Sequence, residues 1–286
     1  MRANPRSLLN IALLVLVAVA GAILYFRPEP KPDERYAILP TALESVRRIE
    51  LERARGMRIV LTRESGQWRM QAPVPGRLEA IALARVLDIG RARTTQRMPA
   101  SDLSRFELDE PWARVRFDSH VIEFGMSNPL TQELYVRSGE HVYALPARYS
   151  ANIPGDASKL LAHRLFDPGE QPVAFRLERF SVREEGGRWR LDPGGEAASQ
   201  DDLLRWVDHW RLASSIITQP QTDARARGSI EVDLRDGRTI RFRVTATTPD
   251  LVLRREDERL EYHFPSRLAG VLLASPEALA DKKPQT

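Results

Sequence analysis

The apolar and polar positions of this chain form one long apolar run, followed by segments in which strand-like alternation and helical spacing each occur twice. Residues 8–26 are apolar apart from Asn10. A helix of this length would span about 28 Å, at about 1.5 Å per residue, which matches the roughly 30 Å hydrocarbon core of a bilayer. The run therefore predicts a transmembrane signal anchor at 8–26, preceded by a cytoplasmic tail at 1–7.

A cleaved signal peptide is the alternative interpretation of the same run. Arg2 and Arg6 form a basic n-region, and residues 18–20 resemble a small-residue cleavage site. The apolar run continues beyond this site to Phe26, which favours the uncleaved anchor. Because the tail before the run is short and basic, we expect a single-pass protein of the inner membrane with its large domain in the periplasm.

After the anchor, the chain predicts a proline-rich linker and then one folded unit written twice. Residues 58–73 recur as 179–193, and each copy is typical of two strands that are joined by a Gly-containing turn and end at Trp and Pro. Later segments recur in the same order, which coincidence explains poorly. We expect the following division: linker 27–40, first repeat 41–168, second repeat 169–274 and C-terminal tail 275–286.

Each repeat is predicted to contain one helix among several strands. Apolar residues recur at helical spacing from Leu78 to Ile89 in the first repeat. In the second repeat, Ser199 and Asp202 resemble a capping box that opens a helix. Strands on both sides of a single helix imply an α+β fold, in which each repeat is an antiparallel sheet covered by one helix.

Alternating residues also predict the register of one hairpin in each repeat. A two-residue loop at 119–120 would place Val115 opposite Phe124. A three-residue loop at 236–238 would place Val232 opposite Phe242 and keep charged residues opposite charged residues on the other face.

Composition excludes several kinds of chemistry. The 43 basic and 39 acidic residues give a net charge of only +4 and are interleaved, which predicts a mixed-charge surface and no nucleic-acid partner. The chain has no cysteine, and its five histidines lie far apart in the sequence. Common catalytic and phosphate-binding motifs are also missing from the sequence. We therefore expect no catalytic residue, no metal site and no cofactor, and a protein that is not an enzyme.

Four residues are candidates for binding. Trp206 and Trp210 are spaced four apart and share one face of the predicted helix, either as core packing, which is favoured, or as an exposed platform for a glycan, a lipid or a partner helix. Arg137 and Arg254 follow corresponding strand positions in the two repeats. They are expected to face outward from their strands, or to line an acidic-ligand groove between the repeats.

Several segments resemble one bacterial family. They are the Trp-containing hairpin ends that close in Pro, and the runs Phe106-Glu107-Leu108-Asp109-Glu110-Pro111, Leu134-Tyr135-Val136-Arg137 and Arg164-Leu165-Phe166. Together they resemble the domain of unknown function 4340 over most of residues 40–273. The resemblance implies an N-terminal anchoring helix, repeated α+β units and no established catalytic residues. It also implies, for some members, a place beside ATP-binding-cassette exporters. The second half departs from the pattern, because it has no counterpart of 106–111 or of Gly125.

These observations lead to one functional hypothesis and two alternatives. The anchor and the duplication predict a membrane-anchored binding protein that is an accessory to a transporter or another cell-envelope complex, with a membrane protein as its partner. The first alternative is a glycan- or lipid-handling envelope domain with weak enzymatic activity, which would need an exposed aromatic cleft. The second alternative is a structural spacer.

Overall fold

The computed structural model describes residues 14–17, 35–54, 56–194 and 198–280, and strands predominate among them. The strands form three antiparallel sheets of two, nine and eight strands. The first part of the fold, here called the N-terminal unit, comprises β1 (Tyr36–Ala37), β2 (Arg48–Arg53), β3 (Arg58–Glu64), β4 (Gln67–Ala72), β5 (Gly76–Arg77), α1 (Ala80–Arg91), β6 (Arg93–Thr94), β7 (Arg97–Pro99), β8 (Ala113–Phe117), β9 (His120–Asn128), β10 (Glu133–Ser138) and β11 (His141–Pro146).

The C-terminal unit follows after a connection formed by residues 147–171. It comprises β12 (Pro172–Arg176), β13 (Ser181–Glu185), β14 (Arg188–Asp192), α2 (Gln200–Leu212), β15 (Ile217–Pro220), β16 (Gly228–Leu234), β17 (Thr239–Ala246), β18 (Asp250–Arg255), β19 (Leu260–Pro265), α3 (Ala269–Leu272) and α4 (Pro276–Ala280). Short 3-10 helices occur at Leu43–Ser45, Ser104–Phe106, Ala147–Asn152, Ala157–Leu160 and Ser266–Leu268.

The two larger sheets have corresponding strand orders. The nine-stranded sheet runs β5-β4-β3-β2-β8-β9-β10-β11-β7, and the eight-stranded sheet runs β14-β13-β12-β16-β17-β18-β19-β15. Apart from the added edge strand β5, the strands correspond one for one. The registers also correspond, because Val115 lies opposite Ile122 in one unit and Val232 lies opposite Ile240 in the other. Positions in the β8–β9 hairpin can therefore be compared with those in the β16–β17 hairpin.

One helix packs on each large sheet and buries its apolar face. Helix α1 buries Val86 and Ile89, whereas Ile81, which the helical spacing placed on the same face, is exposed. Helix α2 begins with the predicted capping box, in which the Ser199 side chain accepts from the backbone N–H of Asp202. Its buried residues include Trp206 and Trp210.

The buried apolar residues of the two units form one continuous core. Gly76 shows how closely the units pack, since a Cβ atom at this position would lie 2.7 Å from Cδ2 of Leu161 and 3.2 Å from Cδ1 of Leu260. Only a glycine permits this approach without displacing a neighbour. The edge of the first sheet therefore lies directly against the second unit.

The predicted fold class is wrong. The sequence pattern suggested an α+β fold with one sheet in each repeat behind a transmembrane helix, whereas the structure is mostly β and has three sheets. The additional strands, such as β5, β6 and β7, are two or three residues long. Segments this short are too brief to show the alternation that identifies a strand in a sequence.

The predicted transmembrane helix and the inner-membrane location also need correction. Within the described ranges, no helix has both the length and the apolar character needed to cross a membrane. Most of the predicted anchor at 8–26 lies outside the described residues. Its described portion, residues 14–17, is helical with exposed side chains.

Both predicted hairpin registers are wrong by two residues. Val115 lies opposite Ile122 rather than Phe124, because the loop is formed by Asp118 and Ser119. Asp118 adopts a positive φ of 51°, and its carboxylate accepts the backbone N–H of Arg48 at 2.8 Å, a contact from outside the hairpin.

In the second hairpin, Val232 lies opposite Ile240 rather than Phe242. The loop has three residues as predicted, but it begins at Arg235, so that Gly237 takes the last loop position with a φ of 87°. A positive φ is easily adopted by glycine, which explains this placement.

Candidate functional site

A cluster of buried charged groups lies where the two units meet. We call it the inter-unit ion cluster and define it by Arg77, Glu170, Arg255, Glu258 and Tyr262. Arg77, on β5, donates to a carboxylate oxygen of Glu258, to the Tyr262 hydroxyl at 2.9 Å and to the carbonyl oxygen of Arg164 at 2.9 Å. One side chain of the N-terminal unit thereby joins the connection between the units to the last hairpin of the C-terminal unit.

Arg255 forms the second half of this cluster. Its Nη1 and Nη2 atoms donate to the two carboxylate oxygens of Glu170 at 2.9 and 2.7 Å, and its Nε atom donates to Asp257 at 2.9 Å. Arg255 is only 1% exposed. Burying its charge is tolerable only because carboxylates and carbonyl oxygens take up the donors of its guanidinium.

The ionisation of the cluster follows from these contacts. Burial opposes the ionised form of Glu170, but the hydrogen bonds and charge of Arg255 outweigh this effect and hold the pKa of Glu170 below its ordinary value. Burial, followed by the negative charge of Glu258, raises the pKa of Tyr262 well above its ordinary value. The contacts therefore favour the ionised form of Glu170 and the neutral form of the Tyr262 phenol.

This cluster is arranged for structure rather than for acid–base chemistry. A general acid or base must reach a substrate and exchange a proton near the working pH. Here Glu170 bonds to Arg255 and to the backbone N–H of Asp167, and Glu258 bonds to Arg77 and Tyr262. A cleft of about 600 Å³ lies above the cluster. Trp68 lines this cleft, and the charged residues that line it include Asp167 and Arg238.

A second group of polar residues lies at the connection between the units. The Nδ1 atom of His163 is 3.2 Å from Oγ of Ser215, and this hydroxyl is 2.8 Å from Oγ1 of Thr218. Both hydroxyl groups belong to buried residues, and Thr218 donates to the carbonyl oxygen of Ala162. The buried Ser215 is thus not presented to a substrate as a nucleophile.

The C-terminal unit contains a largely apolar groove of about 670 Å³. Its floor and walls are formed by the side chains of Leu177, Phe180, Ile230, Val244 and Leu273. These residues come from the β12–β13 turn, the first residues of β16, the middle of β17 and the segment after α3. Turn and strand-end residues of this unit thereby surround a concave apolar surface that faces solvent.

Charged side chains stand around this groove, which we call the arginine-rimmed groove. Arg179 and Arg227 line it and are exposed, and Arg225 lines an adjoining hollow. Within the described part of the chain, none of these three arginines has an ion pair with a carboxylate. Glu178 and Glu277 also line the groove, so its lining carries two carboxylates and two arginines, with Arg225 in the adjoining hollow.

The two tryptophans proposed as a platform are part of the core. Trp206 and Trp210 are 1% and 0% exposed, and their rings pack against Phe175 with centroid distances of 5.2 and 5.5 Å. Their indole N–H groups donate to the carbonyl oxygens of Ala274 and Leu272. An exposed aromatic platform is therefore not formed by these residues, and the glycan- or lipid-handling alternative loses its main support.

The two candidate arginines remain in separate sheets, each with its own partner. Arg137 pairs with Glu123 at 3.3 Å on the first sheet. Arg254 pairs with Glu261 at 3.0 Å on the second sheet and donates to the carbonyl oxygen of Thr222 at 2.7 Å. Because these guanidinium groups are occupied within their own units, the structure does not bring them together in a shared groove.

Sequence reasoning missed both the inter-unit ion cluster and the arginine-rimmed groove. One signal for the cluster was available in the sequence. Leu251, Leu253 and Arg255 are spaced two apart on β18, so all three face the buried side of the sheet. A buried arginine at such a position requires a carboxylate partner in the interior. The groove depends on side chains from distant turns, for which the sequence contains no comparable signal. Among the described residues, no group of three histidine or carboxylate side chains is placed to hold a metal ion.

Comparison with known proteins supports one assignment. The family model described as Domain of unknown function (DUF4340) matches residues 82–226, which is more than half of the chain and includes parts of both units. No curated protein and no solved structure matches the chain.

Proposed function

Because the chain belongs to the DUF4340 family, whose description names no activity, we propose a function from the geometry of the arginine-rimmed groove. We propose that the protein acts by binding rather than by catalysis, as an accessory component of a larger assembly such as a transporter. The groove is the docking site for an acidic segment of a partner protein.

The charge and exposure of Arg179 and Arg227 carry this proposal. Several arginines on the outer face of the same sheet are paired, as Arg176 is with Asp233. The guanidinium groups at the groove have no ion pair within the described ranges and stand beside apolar side chains. A ligand that has both carboxylates and apolar side chains matches such a surface, because charges at the rim guide association and apolar contacts at the centre stabilise it.

The arrangement of the other ionisable groups supports a binding role. The buried carboxylates of the inter-unit ion cluster are held by arginines, and the Ser215 hydroxyl is buried beneath the connection between the units. The continuous core and this cluster also fix the two units against each other. A rigid body of this kind presents a groove in one fixed geometry, which lowers the entropic cost of binding.

A defined peptide tests the proposal. The probe is a fluorescein-labelled eight-residue peptide of alternating Asp or Glu and Leu, and its binding to the full chain is measured by fluorescence anisotropy at low salt. We expect saturable binding that weakens as salt rises, because the contacts at the rim are ionic. The double variant Arg179→Glu, Arg227→Glu is expected to weaken binding about tenfold or more, which corresponds to about 1.4 kcal/mol.

The matched control reverses the same charges elsewhere. Arg85→Glu with Arg116→Glu changes two exposed arginines of the N-terminal unit and alters the net charge equally. We expect this control to change the affinity by no more than about twofold. Equal weakening by both double variants would show a non-specific charge effect and would overturn the groove as the docking site.

A further inference from the structure

The five tryptophans of the chain differ in how fully their rings are occupied by contacts. Three of them donate the indole N–H to a backbone carbonyl oxygen, namely Trp112, Trp206 and Trp210. Trp189 is 5% exposed, and its ring lies 6.3 Å from that of Phe175 and 5.7 Å from the guanidinium of Arg211. Trp68 is half-buried, and among the described residues its ring has no aromatic or cationic partner and its N–H has no acceptor.

Trp68 and Trp189 occupy the same position in the two units. Each is the second residue of the strand that follows a two-residue turn, β4 in one unit and β14 in the other. In the C-terminal unit, the side chain of Gln200, the first residue of α2, bonds to both backbone groups of Trp189. Helix α1 begins with Ala80, whose side chain cannot form such bonds. Trp189 is thus covered within its own unit, whereas Trp68 is left partly open.

Trp68 lines the cleft of about 600 Å³ above the inter-unit ion cluster, which we call the inter-unit cleft. This volume lies within the roughly 300–1,000 Å³ that is typical of small-ligand sites, and such sites are common where two folded units meet. The N-terminal unit contributes the apolar part of the lining, with Leu78 and Leu83 beside Trp68. Residues 167–170 of the connection and Arg238 of the β16–β17 turn add charged groups.

The polar groups of the inter-unit cleft keep unused hydrogen-bonding capacity. The carboxylate of Asp167 is 35% exposed, and its oxygens lie 3.4 Å from Nη1 of Arg77 and 3.9 Å from Nη2 of Arg69, which is long for a charge-assisted hydrogen bond. Over the described ranges, the Gln67 amide and the Arg69 guanidinium have no hydrogen bond, and Nη2 of the exposed Arg238 has none. The cleft therefore offers both donors and acceptors to a ligand.

The charges around the inter-unit cleft balance one another. The charged lining residues and their direct ion-pair partners comprise four guanidinium groups and four carboxylates, which are Arg69, Arg77, Arg238, Arg255, Asp167, Glu170, Asp236 and Glu258. An ionic ligand would have to displace a partner from one of these pairs. A neutral ligand can use the spare donors and acceptors and leave the pairs in place.

We propose that the inter-unit cleft binds a neutral saccharide. A pyranose ring with equatorial hydroxyl groups has apolar C–H faces and a rim of hydroxyls that donate and accept. One face packs on the indole of Trp68, and the rim bonds to Gln67, Arg69 and Asp167. A nucleobase is also flat and neutral, but both its faces need apolar cover, so that the polar groups of the cleft would lose water without gaining partners. The cleft shares no lining residue with the arginine-rimmed groove.

The indole N–H signals of the five tryptophans provide a direct test. The probe is cellotriose, a neutral trimer of β-linked glucose with equatorial hydroxyls, which is added at up to about 10 mM to the isotope-labelled full chain and followed by NMR. Trp68→Phe identifies the Trp68 signal by its loss. We expect cellotriose to shift this signal saturably and to leave the signals of Trp206 and Trp210 in place. No shift of the Trp68 signal, or equal shifts of all five, would overturn the site.

Variants measured by isothermal titration calorimetry provide the second test. Trp68→Ala is expected to weaken cellotriose binding about tenfold or more, and unchanged affinity would overturn the stacking role. Gln67→Ala removes an exposed amide of the cleft and is expected to weaken binding about threefold. Gln71→Ala is its matched control, since it changes an exposed glutamine of the same strand outside the cleft. If Trp68→Ala does not fold, as judged by its thermal melting curve, the NMR shift and the glutamine variants decide the question.

Further outcomes separate this site from the arginine-rimmed groove. Because cellotriose is neutral, raising the salt should change its affinity by no more than about twofold, in contrast to that of an acidic peptide. The double variant Arg179→Glu, Arg227→Glu should also leave cellotriose binding intact, and its loss there would overturn the assignment to the cleft. Tighter binding of adenosine than of cellotriose would overturn the saccharide as the ligand. Absence of cellotriose binding would overturn this inference and leave the proposed docking of a peptide unaffected.

Discussion

Val142 and Glu261 occupy corresponding positions on the two large sheets but are buried in opposite chemical environments. Arg137 lies opposite Val142 on one sheet, and Arg254 lies opposite Glu261 on the other. Val142 is 0% exposed and packs in a small apolar cluster with Phe106 and Leu108. Glu261 is 2% exposed and pairs with Arg254. The same sheet face is thus covered by apolar contacts in one unit and by an ion pair in the other.

The segment that covers Val142 explains why the run at 106–111 and Gly125 occur together in the first half. A Cβ atom at position 125 would lie 2.2 Å from the carbonyl oxygen of Phe106 and 2.9 Å from Cγ of Leu108. The segment can pack on β9 only because residue 125 has no side chain. In the C-terminal unit the corresponding connection is 221–227, and Arg254 holds it through the carbonyl oxygens of Thr222 and Ala224.

Removing the buried carboxylate of Glu261 is expected to destabilise the protein. Glu261→Gln keeps the shape of the side chain but leaves the largely buried guanidinium of Arg254 without its counter-charge. We expect a loss of about 3 kcal/mol in the free energy of unfolding, measured by urea denaturation. Glu123→Gln removes the more exposed partner of Arg114 and is expected to cost no more than about 1 kcal/mol. If the two variants lost similar free energies of unfolding, the burial of Glu261 would not explain the cost of removing its charge.

Gly125→Ala is expected to destabilise the N-terminal unit by steric overlap. The added methyl group must displace either the backbone at Phe106 or the side chain of Leu108, and we expect a cost of about 1–3 kcal/mol in the free energy of unfolding. Gly270→Ala is the control, since a Cβ atom there meets nothing within 4 Å. Because residue 270 lies in α3, the control is expected to be neutral or slightly stabilising. A neutral Gly125→Ala would show that the covering segment moves freely.

Breaking the contact between the units is expected to have a large effect. Arg77→Met removes a buried cation and leaves the carboxylate of Glu258 without its strongest partner, at an expected cost of about 3–5 kcal/mol. Hydrogen exchange should then rise at the edge of the first sheet around β5 and at the β18–β19 turn. Arg69→Met is the control, because Arg69 is more exposed and its nitrogen is 3.9 Å from Asp167. Unchanged exchange in Arg77→Met at both places would contradict a role of this cluster in joining the units.

Stability should fall on acidification, and Glu170 should contribute to this fall. The pKa of Glu170 in the folded protein lies below its ordinary value of 4.5. The stabilisation from its charge is therefore present above pH 4.5 and is lost as the pH falls through the lower, folded pKa. We expect Glu170→Gln to be less stable than the unaltered chain at neutral pH, with a difference that narrows below pH 4.5. Urea denaturation at several pH values measures this difference. If the difference in unfolding free energy between the two chains stayed constant down to the pH of acid unfolding, the predicted contribution of Glu170 ionisation would be excluded.

Sequence patterns located the two longer helices well. The capping box at Ser199 was found because its chemistry depends on residues three apart. The inward position of Trp206 and Trp210 was the favoured interpretation of their spacing, and the structure places both in the core. The fold class and the registers were wrong because they depend on contacts from elsewhere in the chain. Asp118 shows this, since its carboxylate accepts from the backbone of Arg48, which belongs to a different strand.

The groove lay beyond sequence reasoning for a similar reason. Leu177, Phe180 and Leu273 are far apart in the chain and meet only in the fold.

The sequence by itself determined which segments form the longer helices, how α2 begins and that the chain belongs to the DUF4340 family, because these properties depend on the order and spacing of neighbouring residues. The tertiary structure decided the three-sheet architecture, the hairpin registers, the burial of Arg255 against Glu170 and the arginine-rimmed groove. These features depend on groups that are distant in sequence, since the environment of a buried charge or an empty space is set by whatever the fold brings next to it.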